Sequence, residues 1–119
     1  MSTWDRILQK QNQMTFDEQM DYIKQGQHLV SDENLVRAVI DDENIHTARF
    51  MLGLEDSNNG RDMIKLKDMI NTGNKQAMYD IAAIFFGCSM ILHNTGDKVR
   101  SDEAIIRAFL WVEEAQKTQ

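Results

Sequence analysis

Asp80-Ile81-Ala82-Ala83-Ile84-Phe85-Phe86-Gly87-Cys88 decides the fold. After Asp80 the chain is apolar on every side of a helical wheel, and a helix with no polar face has to be surrounded by other helices. The spacing predicts a helix over Lys75 to His93, stopped by Asn94-Thr95-Gly96. Its longest uncharged apolar stretch, Ile81 to Leu92, is 12 residues long, short of the roughly 20 a membrane span needs. Gly87 reads as a point where a neighbour comes close.

Six further helices are expected around this one. The first begins at Ser2 or Thr3 and lines up Trp4, Ile7 and Leu8. The second opens with Thr15-Phe16-Asp17-Glu18, a capping box, places Phe16, Met20 and Ile23 at helical spacing and stops at Gly26. The third follows Ser31 with Leu35, Val36 and Val39 inward. A fourth carries the stripe Ile45, Ala48, Met51, Leu52. Ser57-Asn58-Asn59-Gly60 marks a loop within Glu55 to Asp62. A fifth packs Leu66, Met69 and Ile70 and ends at Asn71-Thr72-Gly73. The last starts at Ser101 and stacks Ile105, Phe109 and Val112, with Trp111 on a flank. The expectation is a single all-α domain over 1–119: a compact bundle or short helical-hairpin array of six to seven helices around a buried helix at about 76–92. Proline is absent, as suits helices joined by Gly and Asn turns.

Two phrases recur. Ser31-Asp32-Glu33-Asn34-Leu35-Val36-Arg37-Ala38 returns as Ser101-Asp102-Glu103-Ala104-Ile105-Ile106-Arg107-Ala108, and both read as capped helix starts with acidic first turns facing solvent. Asn71-Thr72-Gly73-Asn74-Lys75 returns as Asn94-Thr95-Gly96-Asp97-Lys98. The offsets, 70 and 23 residues, disagree, so these are shared cap and turn chemistry rather than a tandem duplication. In the spacing of its helix pairs the chain is similar to ankyrin, tetratricopeptide and Sel1-like helical hairpins, with Ala77 to Phe86 and Ala108 to Ala115 the most Sel1-like. It has neither the Thr-Pro-Leu-His of ankyrin nor the Gly-Tyr pattern of the other two, and the resemblance assigns no family.

Charge narrows the function classes. The net charge of −6 belongs wholly to residues 1–60, which hold five basic and eleven acidic side chains, whereas residues 61–119 hold eight of each. Phosphate-backbone binding needs clustered Lys and Arg, so direct nucleic-acid binding is not expected. The leading expectation is a small acidic cytoplasmic protein-binding module, an inhibitor, immunity or adaptor protein of the kind phage and plasmid accessory genes encode. Its partner would be a protein of basic character, with a homodimer left open, no membrane and no cofactor. The candidate contact residues are Asp17, Glu18, Asp21, Asp32, Glu33, Asp41, Asp42 and Glu43. The alternative is a small metal-dependent enzyme built on Glu43-Asn44-Ile45-His46, because Glu and His at i and i+3 project from one helix face; no second such pair exists in the chain. A third reading is a transcription regulator acting through protein contacts.

The remaining candidates are structural. Cys88, the one cysteine, allows no intramolecular disulfide and reads as a buried small hydrophobe. No catalytic residue is assigned. Seven methionines after Met1 fall on apolar faces as core filling, and Trp4 and Trp111 either anchor an interface or dock the two termini on each other.

Overall fold

The computed structural model describes residues 1–40, 47–49, 51–52 and 60–119, with the side chains of 60–62 left aside. All regular structure among the described residues is helical: α1 (Thr3–Asn12), α2 (Phe16–Gln25), a 3₁₀ helix (Gly26–Ser31), α3 (Glu33–Ile40), α4 (Gly60–Asn71), α5 (Lys75–Asn94) and α6 (Lys98–Lys117). Residues 47–49 and 51 are helical as well. The all-α bundle expected from the sequence is what forms.

The centre is a hairpin rather than a single helix. α5 and α6 pack along each other; α3 and α4 lie on α5, while α1, α2 and the 3₁₀ helix lie on α6. α1 also reaches α4, where the Trp4 backbone N–H donates to Asn71 Oδ1 at 3.0 Å and Lys67 Nζ stands 5.6 Å from the Trp4 ring centre. α5 is buried from Ala77 through Phe85 apart from Asp80, as its composition predicts. α6 is just as enclosed: Ile106, Ala108, Phe109, Leu110, Trp111 and Val112 are all buried, so Trp111 sits in the core and not on a flank. Its charged residues conceal this in the sequence, because three of them are met by side chains from distant positions. Arg107 Nε donates to Gln11 Oε1 at 2.8 Å, Tyr22 donates to Glu113, and Arg6 pairs with Glu114. Trp4 and Trp111 stack at 5.6 Å between centroids, so the two termini dock on each other.

α5 is 20 residues long and apolar enough, by length and composition, to cross a membrane, since Ala77 to Tyr79 add apolar length on the far side of the single charge at Asp80. Of its most apolar stretch 67% is buried inside the bundle, the pattern of a core helix.

The Asn-Thr-Gly phrases act as one stop-and-restart device, used twice. Gly73 (φ 86°) and Gly96 (φ 83°) adopt the left-handed conformation. The N–H of Asn74 bonds to Met69 O and that of Gly73 to Ile70 O; Asp97 to Leu92 O and Gly96 to His93 O repeat the pattern, a Schellman closure in each case. Thr72 and Thr95 hydroxyls donate to the same Met69 and Leu92 carbonyls. The next residue then caps the following helix: Asn74 Oδ1 accepts from Ala77 N, Asp97 Oδ1 from Arg100 N.

The Ser-Asp-Glu phrase behaves otherwise. The first copy starts a helix through Asp32, whose Oδ1 accepts from the N–H of Asn34 (2.9 Å) and Leu35 (3.3 Å), while the Ser31 hydroxyl donates back to His28 O. The second copy starts nothing. α6 already began at Lys98, and Ser101 is buried, its hydroxyl donating to Ser89 O while Ser89 donates to Ser101 O, both at 3.0 Å. A small residue on each helix lets α5 and α6 approach closely there, and the hydroxyls satisfy each other.

Other departures follow from packing partners. α3 buries Leu35 and Ala38 and half-buries Val39, which leaves Val36 outward; Phe16 is 72% exposed. Glycine 26 ends α2 without a left-handed turn. A Cβ there would stand 2.4 Å from Phe109 Cδ2, so close contact is what requires glycine, more severely than at Gly87, where Ala48 Cβ would be 3.3 Å away. The predicted loop at 55–62 lies outside the described residues up to 59, and Gly60 onward is helical. Of the 45/48/51/52 stripe, Ala48 is fully buried, Leu52 half-buried and Met51 37% exposed, while Ile45 lies outside the described residues. Of the other methionines, Met78 is buried and Met14, Met63 and Met69 pack on the core, whereas Met90 is 43% exposed.

Candidate functional site

Two regions of the surface carry chemistry. The first holds the acidic side chains of the first half. On α2, Thr15 Oγ1 accepts from the Glu18 N–H and Glu18 Oε1 from the Thr15 N–H, completing the capping box; these bonds hold the Glu18 carboxyl below its ordinary value. Asp17, Glu18, Asp21 and Glu33 are exposed. Asp32 is not a free acid. Besides capping α3 it accepts at Oδ2 from the Tyr79 hydroxyl (3.2 Å) and from Gln116 Nε2 (3.0 Å), tying α3 to both helices of the central hairpin. Burial would raise its carboxyl, but the donors Gln116, Leu35, Asn34 and Tyr79 outweigh that and hold it below the usual range. Asp41, Asp42, Glu43 and His46 lie outside the described residues, and so does the Glu43/His46 metal reading. Among the described residues no three His, Cys, Asp or Glu side chains converge as a metal site.

Exposed apolar side chains stand on α3 beside Glu33. Glu33, Val36, Arg37 and Ile40 form one outward stripe of α3 at i, i+3, i+4 and i+7, with Val36 43% and Ile40 73% exposed. An isolated outward valine is ordinary. Here two β-branched residues stand outward a turn apart on a helix whose other face packs on the core.

The second region is a cleft of about 200 Å³ between α5, α6 and residues 51 and 52. Met51, Leu52, Phe85, Leu92 and Ala104 make it apolar; Arg100, Arg107 and Glu103 supply charge, and Cys88 completes the wall. Cys88 is buried with its Sγ 3.5 Å from Ala48 O, and desolvation pushes the thiol up to about 11 despite the pull of Arg100 and Arg107. It is a packed thiol, not an activated nucleophile. Arg107 is half-buried, its guanidinium 5.0 Å from the Phe85 ring centre, and desolvation lowers its affinity for its own proton while Glu103 acts the other way. This cleft is not legible in the sequence, because its residues are scattered between positions 51 and 107 with no motif spacing; the docking of Trp4 on Trp111 is one of the two readings those residues offered.

No family model matches the chain, and neither a curated protein nor a solved structure shows significant similarity to it.

Proposed function

We propose that this chain is a protein-binding module, an inhibitor, immunity or adaptor protein that acts by occupying or tethering a partner. The observation that carries the reading is the outward stripe of α3, Val36 and Ile40 exposed beside Glu33. Binding surfaces combine an apolar centre with a charged rim, and the acid excess of the first half selects a partner that is basic around an apolar patch. On α3 the charged edge is Glu33, and the exposed Asp17, Glu18 and Asp21 of α2 add to the acid excess that steers such a partner. Asp32 contributes through the fold, since its carboxylate is already engaged.

The test is capture by the immobilised chain from a lysate of its source cells, followed by kinetics on the purified partner. Val36→Ser/Ile40→Ser removes the apolar centre and Asp17→Lys/Asp21→Lys/Glu33→Lys reverses the acid excess, both on exposed positions. Burying one such side chain in an interface is worth roughly 1.5–3 kcal/mol, so the first variant weakens affinity by ~10-fold or more. The second lowers the association rate and flattens its salt dependence. A partner held equally well by both variants, capture of nothing, or a partner that is only a second copy of this chain would each overturn the reading.

A further inference from the structure

We infer that the cleft between α5 and α6 is a binding site for a small monocarboxylate with an apolar body. Among the described residues, Arg107 makes one side-chain hydrogen bond, through Nε to Gln11, and no carboxylate lies within ion-pair distance of it. The Phe85 ring covers one face of its guanidinium. Among the described residues nothing else takes its Nη groups, and on a half-buried cation that lines the cleft they suit two-point binding of a carboxylate. Arg100, loosely paired with Asp97 at 3.7 Å, adds a second positive charge, and Glu103 is the single acid among the lining residues, so the lining carries a net charge of +1.

The rest of the lining selects the body of the ligand. Met51, Leu52, Phe85, Leu92 and Ala104 offer apolar contact and no hydrogen-bonding groups of their own side chains, which disfavours inorganic phosphate or a sugar acid. At about 200 Å³ the cleft is below the size that takes drug-sized ligands, and it suits roughly ten non-hydrogen atoms. Hexanoate and 3-phenylpropionate have that size and shape. Because the Cys88 thiol stays protonated, the site binds its ligand without reacting with it. The cleft shares no residue with the α3 stripe, so this inference stands whether or not the chain binds a protein there.

The experiment titrates protein labelled with ¹³C at its methionine methyl groups. Met51 lines the cleft, while Met14 and Met78 do not, so they report binding elsewhere. Hexanoate and 3-phenylpropionate are expected to shift the Met51 signal saturably below about 5 mM, in the weak range that so few atoms allow, with Met14 and Met78 unmoved. Hexanamide, which matches the shape without the charge, should bind at least ten times more weakly. This comparison uses the wild-type chain and depends on no variant folding. Arg107→Gln should abolish the shift, and Arg100→Gln, at an exposed position, should weaken it several-fold. Absence of saturation, equal binding of hexanamide, a response to inorganic phosphate alone, or full binding by Arg100→Gln and Arg107→Gln would each overturn the assignment.

Discussion

Replacing Asp32 by alanine removes three things at once: the cap of α3, the acceptor for Tyr79 and the acceptor for Gln116. Loss of an N-cap costs about 1 kcal/mol. Each tertiary hydrogen bond is worth ~1 kcal/mol when buried, and because Asp32 is partly exposed we halve that to about 0.5. The sum is roughly 2 kcal/mol, which for a domain of this size lowers the melting temperature by about 6–10 °C and the urea midpoint by ~1 M. Asp32→Asn keeps an efficient cap at Oδ1 but loses the Oδ2 acceptor of both tertiary bonds, so it should lose about half as much. Equilibrium urea unfolding followed by circular dichroism measures both. The pH dependence has a definite sign. The folded Asp32 carboxyl lies below its unfolded value of 3.8, so its contribution is complete above that value and disappears as pH falls through the lower folded one. Asp32→Asn should flatten the acid limb of the stability profile over that interval. An alanine variant within ~0.5 kcal/mol of wild type, beneath the loss expected of a cap, would refute the reasoning. So would an asparagine variant as damaged as the alanine one.

Two further perturbations probe the central hairpin. Gly26→Ala drives a methyl group into Phe109 and should cost about 1–3 kcal/mol by denaturant titration, with Phe109→Leu recovering part of the loss in the double variant; an unchanged midpoint would show that the two elements separate easily. Ser89→Ala and Ser101→Ala should each cost ~1 kcal/mol, and the double variant less than the sum, because both single changes disrupt one reciprocal pair. Strict additivity in that cycle would mean the hydroxyls do not act on each other.

What was legible came from chemistry that closes within a few residues. The Thr15 capping box, the Ser2 cap and the two Asn-Thr-Gly stops were readable because each is completed by atoms no more than five residues away. The apolar band of α5 was readable because it has no polar side to dispute. The Ser-Asp-Glu phrase misled for the complementary reason. Its two copies are nearly alike, yet one serine faces solvent at the end of a 3₁₀ turn and the other is buried against Ser89, 12 residues away. The acids of the first half were nameable as a group, but the engagement of Asp32 by Tyr79 and Gln116 spans 47 and 84 residues and has no local signature.

The sequence by itself determined that this chain is a helical bundle: where α1, α2, α4 and α5 begin or end, and that α5 is interior. Hydrophobic periodicity and caps are local free-energy terms, so they can be read in order along the chain. Only the tertiary structure decided that α6 shares the core, that the phrase at Ser101 lies inside a helix already under way, and that Arg107 stands half-buried on the wall of an apolar cleft. Those outcomes depend on which side chains from distant positions meet a charge once water is excluded. A charged residue looks the same in a sequence whether water or Gln11, Tyr22 and Arg6 will satisfy it.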